Sequence, residues 1–334
     1  MSGAIDTLQR KSFVALLSVG SNLCLVALKL IAGSLIGSVS IISEAIHSGV
    51  DLLAAIIAYA SVRASGRPAD DEHPFGHGKF ENLSGAVEAV LIFVAAGWII
   101  HEAIHKLFNP APLDMLGWGV AVMLISAASN WMVSRKLMKV GKETDSIALR
   151  ADAWHLRTDV YTSAGVMVGL IVIWVAKLIN PAWNPVWIDP TVAIGVALLI
   201  IKAAWDLTAE AIHDLLDERL SGAEETWIRE LVGRRSAVCG LHGLLTRKAG
   251  PAHFIEFHLI VDKAMTVADA HNISDDLEAE MVAHFPEAHV TIHVEPCDFT
   301  CKPVCLMGCL LNRTTQTGQP GSRASSEQCP AGSM

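Results

Sequence analysis

The sequence predicts a polytopic α-helical membrane protein, six transmembrane helices followed by a small α+β domain. Three observations carry that expectation. Of the 334 residues, 52% are hydrophobic and mean hydropathy is +0.42, more apolar than soluble globular domains run. Apolar windows of bilayer-spanning length, about 20 residues, recur six times before residue 212. Beyond that point the pattern switches to short alternating segments with polar punctuation.

The six windows lie at 12–36, 39–63, 83–107, 114–137, 147–178 and 187–211. Residues 1–11 precede them as a short N-terminal segment. Arg10 and Lys11 lead into an apolar run reaching Ile36, too long for the core of a cleaved signal peptide. An even number of spans places both termini on one side. Arg10, Lys11, Arg63, Arg67, Lys79, Arg135, Lys136, Lys139 and Lys142 fall on that side, and the opposite loops carry little beyond Lys106 and Lys177. The positive-inside rule therefore puts both termini in the cytoplasm.

Residues 212–297 read as the soluble domain. HFIEFHLIV (253–261) and HVTIHV (289–294) alternate as strands do. Segments 223–235 and 266–284 read as amphipathic helices, the second opened by Thr266 and followed by Pro286. From 298 to 334 the chain turns Cys-, Gly-, Ser- and Pro-rich, a composition that favours disorder. The net charge of −9 and the lack of a large basic patch exclude nucleic acid as a partner. Seven cysteines, five of them beyond residue 296, make no secreted-style disulfide framework.

Ionisable residues inside membrane spans are costly and mark sites. His155 and Asp159 stand four residues apart in the fifth window, and His47 and Asp51 repeat that spacing in the second. On a helix such a pair shares one face, with Cβ atoms about 6 Å apart. An interhelical hydrogen bond accounts for one such pair; two pairs in two spans point to a shared four-ligand site. Two carboxylates and two neutral imidazoles suit Zn²⁺, and their charge cancels the dication's. Loading requires deprotonated imidazoles, so metal binding expels protons.

At these residues the chain resembles the cation diffusion facilitator family, its zinc-type members in particular. The resemblance covers residues 10 to 297 and includes GSVSIISEAIHSGVD, PADDEHPFGHGK and ADAWHLRTD. It implies six helices and a ferredoxin-like cytoplasmic domain, assembled as a homodimer in the bacterial inner membrane. It also implies export of divalent metal in exchange for protons, with His47, Asp51, His155 and Asp159 as the transport site. Some members carry Asp at the first of these positions; His here favours zinc over manganese.

Asp70, His73 and His77 lie in the loop between the second and third windows, with Pro74 and Gly76 forcing a turn. Spacing alone is equally that of an ordinary polar loop; the resemblance implies a second metal site there. It implies too that His242, His258, His271, His293 and Glu295 form a zinc cluster at the dimer interface, although relatives often carry Asp where Glu295 stands. Lys79 would pair with an acid after the sixth span, Asp217.

Two strings admit other functions. HEAIH at 101–105 satisfies the HExxH pattern of zinc metalloproteases, with His101 and His105 as ligands and Glu102 as base. EAIH also recurs at 44–47 and 210–213, and no third ligand lies nearby. Cys297, Cys301, Cys305 and Cys309 recur every four residues, a spacing open to metal capture, redox chemistry or no dedicated role. A zinc sensor without transport is the remaining alternative to an exporter.

Overall fold

In the computed structural model, residues 2–36, 39–108, 117–179, 187–285, 287–297 and 308–310 are described. The chain divides into two compact units at 216/217. The first holds six long helices: α1 (Ser2–Ile36), α2 (Val39–Ser65), α3 (Lys79–Phe108), α4 (Gly117–Glu143), α5 (Ile147–Ile179) and α6 (Ile188–Leu215). Among the described residues, four of them carry windows long and apolar enough to cross a membrane, at Asp6–Ala32, Ser48–Ser65, Lys79–His105 and Pro190–Leu215. The helices overrun the apolar windows at the start of α1, which begins at Ser2, and at the end of α4, where Lys139, Lys142 and Glu143 continue the helix in polar residues. Helix α6 runs to Leu215, so the unit boundary falls a turn beyond the expected one.

Packing follows from small residues. α1 lies along α2, α3 along α6, and α4 along α5. Ala54, Ala55, Ala58, Ala89, Ala96, Ala204 and Ala211 are wholly buried in these seams, where a missing side chain lets backbones approach. Leu16, Val94, Trp98, Leu199 and Trp205 point outward, an apolar surface suited to lipid.

The second unit comprises α7 (Gly222–Gly233), β1 (Val238–Ala249), β2 (Ala252–Asp262), α8 (Val267–His284) and β3 (Ala288–Cys297). Ser221 and Glu224 cap α7 reciprocally, and Thr266 accepts the Asp269 N–H at the start of α8. β1 and β2 form an antiparallel hairpin, and α8 carries the chain across so that β3 adds parallel to β2. Ile228, Leu231, Val232, Ile255, Phe257, Leu259, Leu277 and Met281 fill the core between sheet and helices. The opposite sheet face is left for polar groups.

Candidate metal-binding sites

Inside the first unit, α2 and α5 meet at the predicted ligands. His155 Nε2 lies 3.0 Å from Asp51 Oδ1, and both side chains are buried. Asp159, one turn along α5, accepts from Asn130 Nδ2 of α4 at 3.1 Å. His47 is on α2 one turn before Asp51, but its side chain lies outside the described residues. Three of the four expected residues are therefore placed around the α2–α5 seam with their side chains. His155 Nδ1 has no hydrogen-bond partner among the described residues, leaving a buried imidazole nitrogen available.

Other polar groups of this unit are buried or part-buried as well, and of these only Lys79 was expected to have a partner. Glu81 is fully buried at the start of α3. It accepts from Lys11 of α1, from Ser65 of α2 at 2.7 Å, and from Ser146 just before α5. One carboxylate thus ties four segments of the unit together. Arg150 forks onto both Glu210 oxygens, at 2.8 and 2.5 Å, joining α5 to α6. Asn82 donates to Asp214 at 2.7 Å, and Lys79 donates to the Leu215 carbonyl at 3.3 Å. Glu88 and Asp152 are fully buried carboxyls as well. A usable sequence signal existed for Glu81, Glu88, Asp152 and Glu210: each is an acid inside an apolar helix, where burial demands a partner.

The loop before α3 folds into a tight ligand group. Asp70 Oδ1 accepts the backbone N–H of His73 at 2.7 Å and of Glu72 at 3.1 Å, an Asx turn. Gly76, at φ 83°, reverses the chain. The rings of His73 and His77 then lie 4.4 Å apart. His77 Nε2 is 3.3 Å from Asp70 Oδ2 and His73 Nδ1 3.3 Å from Oδ1. Ligand atoms of Asp70, His73 and His77 all fall within 4.8 Å of one another. The His73 N–H bond holds the Asp70 carboxyl below the usual carboxylate range; slight desolvation opposes it, and the two imidazoles add to the lowering. A cation is what such an arrangement attracts.

A second group forms on the polar face of the sheet. Register pairs His242 with His258 and His258 with His293. Cross-strand partners share a face, so three imidazoles stand in a row, with centroids 4.8 and 4.9 Å apart. Glu295 follows His293 by two residues and so returns to that face. Its Oε2 lies 3.0 Å from His242 Nε2 and its Oε1 2.8 Å from His258 Nδ1. His293 Nε2 is farther, at 3.7 Å. His242, His258 and Glu295 have ligand atoms within 4.8 Å of one another. Burial pushes the Glu295 carboxyl up, but the bonds to His242 and His258 and their charge outweigh it, and the net shift is downward. His271, on α8, sits beside Asp275 at 3.6 Å and is not in that three-ligand group. Asp217 accepts from Arg247 at 3.2 Å.

His101 and Glu102 are exposed on the last turns of α3, and neither His101 nor His105 belongs to a three-ligand group among the described residues. Cys301 and Cys305 lie outside the described residues.

Comparison with known proteins places these features in a lineage. Residues 15–216 match the family model described as the cation efflux transmembrane domain. Residues 220–297 match that of the cation efflux protein cytoplasmic domain. The uncharacterized transporter sll1263 of Synechocystis is 38% identical over 283 residues, covering 84% of this chain and 89% of the relative. The cation-efflux pump FieF of Salmonella paratyphi A is 32% identical over 297 residues, covering 89% and 96%. Among solved structures, the metal-bound C-terminal domain of the CzcD transporter from Thermotoga maritima is 31% identical. It covers 24% of this chain and 96% of that one, with a TM-score of 0.22.

Proposed function

The chain belongs to the cation efflux family, the cation diffusion facilitators, and from that premise we propose that it exports Zn²⁺ from the cytoplasm in exchange for protons. Members of the family are membrane-embedded metal transporters, not enzymes, which removes the protease reading of HEAIH. The cargo, the coupling ion and the ligands are our reading. His47, Asp51, His155 and Asp159 form the transport site, and the protein works as an inner-membrane homodimer with both termini in the cytoplasm.

The observation that carries this reading is the buried contact of Asp51 with His155 between α2 and α5. An imidazole facing a carboxylate at 3.0 Å is a pair that a proton or a metal ion can bridge, but not both together. Zn²⁺ entering the seam displaces the proton that the pair otherwise shares, and a proton arriving from the far side displaces Zn²⁺. The mixed nitrogen and oxygen donors fit a borderline-soft dication; all-oxygen sites fit Mn²⁺ or Mg²⁺ better. Ligands in the Asp70–His73–His77 loop and on the sheet would take zinc on the cytoplasmic side, the first as a relay and the second as a dimer-stabilising cluster.

Purified protein in proteoliposomes tests this directly, with Zn²⁺, Mn²⁺, Fe²⁺, Co²⁺ and Cd²⁺ offered under a pH gradient. Zinc flux that rises with the gradient is expected. Asp159→Ala should abolish it while the dimer persists on a sizing column. Undiminished flux in that variant would overturn the assigned site. Bound zinc without any flux in the wild type would make the protein a sensor instead.

A further inference from the structure

Three cysteines far apart in sequence converge at one end of the sheet. Cys239 sits in the β1 irregularity between the Val238↔Val261 and Gly240↔Ile260 pairs. Cys297 ends β3 opposite Asp262. Cys309 bridges back to Gly240, and the next residue, Leu310, donates its N–H to the Cys239 carbonyl at 2.9 Å. This return of the chain is specified locally. Leu310 packs against the domain core. A Cβ on Gly308 would fall 1.7 Å from the Leu241 carbonyl oxygen, so only glycine lets the segment lie this close.

The side chains then face a common problem. Cys239 and Cys297 stand at the same end of the sheet, with Cys297, Cys309 and Asp262 near enough to act electrostatically on the Cys239 thiol. All three are free thiols, and Cys297 is buried. Burial first, then the neighbouring sulfurs and Asp262, push the Cys239 thiol up to about 11. A thiol held protonated is a poor nucleophile, which argues against a redox or catalytic use. A coordinating cation reverses the balance by removing the protons outright. Sulfur donors with one carboxylate suit Zn²⁺ and Cd²⁺ and disfavour Mg²⁺ or Mn²⁺.

We propose that Cys239, Cys297 and Cys309, with Asp262, form a thiolate site for a thiophilic divalent cation of the Zn²⁺ class, separate from the histidine row. The groups whose ligand atoms already lie within 4.8 Å of one another do not include these thiols, so the ion draws the Cys309 side chain inward. Binding would clamp residues 308–310 onto β1 and stabilise the folded domain by mass action. This site stands whether or not the chain exchanges zinc for protons.

Co²⁺ titration of the reduced, metal-free, full-length protein in detergent tests it, because a thiolate bound to Co²⁺ gives a sulfur-to-metal charge-transfer band that imidazole and carboxylate ligands do not. One equivalent per protomer should raise that band, and Zn²⁺ should bleach it. Cys239→Ser and Cys309→Ser should each remove the band, whereas His258→Ala should keep it. Cys309→Ser guards against a misfolded Cys239→Ser, since Cys309 lies outside the strands. No band in the wild type, or an unchanged band in Cys309→Ser, overturns the site. So does a Cys239–Cys297 disulfide recovered from acid-quenched cells.

Discussion

The α2–α5 seam and the histidine row on the sheet use the same chemistry in opposite settings. Each sets a carboxylate oxygen about 3 Å from an imidazole nitrogen, Asp51 to His155 in one and Glu295 to His242 and His258 in the other. In the seam both partners are buried and come from two separate helices, an arrangement that helix motion could open. On the sheet the partners are part-exposed and locked by strand register. A mobile seam can change which ligands meet, as a transport cycle demands; a registered sheet holds one arrangement and suits an ion that stays. Under the proposed function, this contrast fits cargo in the first region and a resident ion in the second.

Removing one carboxylate from each region gives the sharpest break of that comparison. Asp51→Asn keeps the shape but loses the charge that cancels half of the dication. Zinc flux should fall by about 100-fold or more, since even partners outside the ligand shell are worth 10–100-fold in metal affinity. Glu295→Gln should leave flux within a few-fold of wild type, yet lose the part of the zinc-dependent rise in thermal stability that the histidine row contributes. That rise corresponds to about 2.7 kcal/mol at a free metal concentration 100 times Kd. Stopped-flow flux and melting curves with and without zinc measure the two. Equal effects on flux from both variants would erase the distinction.

Acid should separate the regions less sharply. The Glu295 and Asp70 carboxyls both lie below their ordinary values, so each favours the folded, ion-paired state at neutral pH and loses that contribution only as pH falls through its lowered value. Both remain ionised between pH 7 and 5. Zinc release in that window must then come from the imidazole ligands, which hold a metal only when deprotonated. Zinc binding to the full protein should weaken steeply from pH 7 to 5.5, and a release midpoint near 4 would assign control to the carboxylates instead.

The membrane architecture and the placement of His155 and Asp159 on one helix were legible because each rests on a one-dimensional signal: apolar run length for the six helices, and i,i+4 spacing for the pair. The row of three imidazoles was legible only in part. His258 and His293 stand in alternating segments, but their alignment with His242 depends on strand register, which no single strand encodes. Expected from family likeness alone, His271 instead sits beside Asp275 on α8. Glu81 escaped notice because its partners, Lys11, Ser65 and Ser146, are scattered over the chain. Cys239 escaped notice for the same reason. Local spacing announces a site held by one helix; a site assembled from several segments announces itself only when they fold.

The smallest expected effect probes how rigid the sheet arrangement is. Gly243 follows His242 at φ 62°, where β1 slips register against β2. A Cβ there would stand 3.4 Å from Cδ2 of the His258 ring. Gly243→Ala therefore meets one penalty, the left-handed backbone, since the His258 ring at 3.4 Å is in ordinary van der Waals contact. The backbone alone costs about 1–2 kcal/mol for a residue with Cβ, which lowers the melting temperature of a domain this size by roughly 4–8 °C per kcal/mol. Zinc affinity at the row should hold, because strand register keeps His242, His258 and His293 on one face. If zinc affinity falls along with melting, the row yields with the backbone and is less rigid than its register implies. Should neither change, the irregularity beside His242 is incidental to metal binding, and the contrast between a mobile seam and a locked sheet loses its second half.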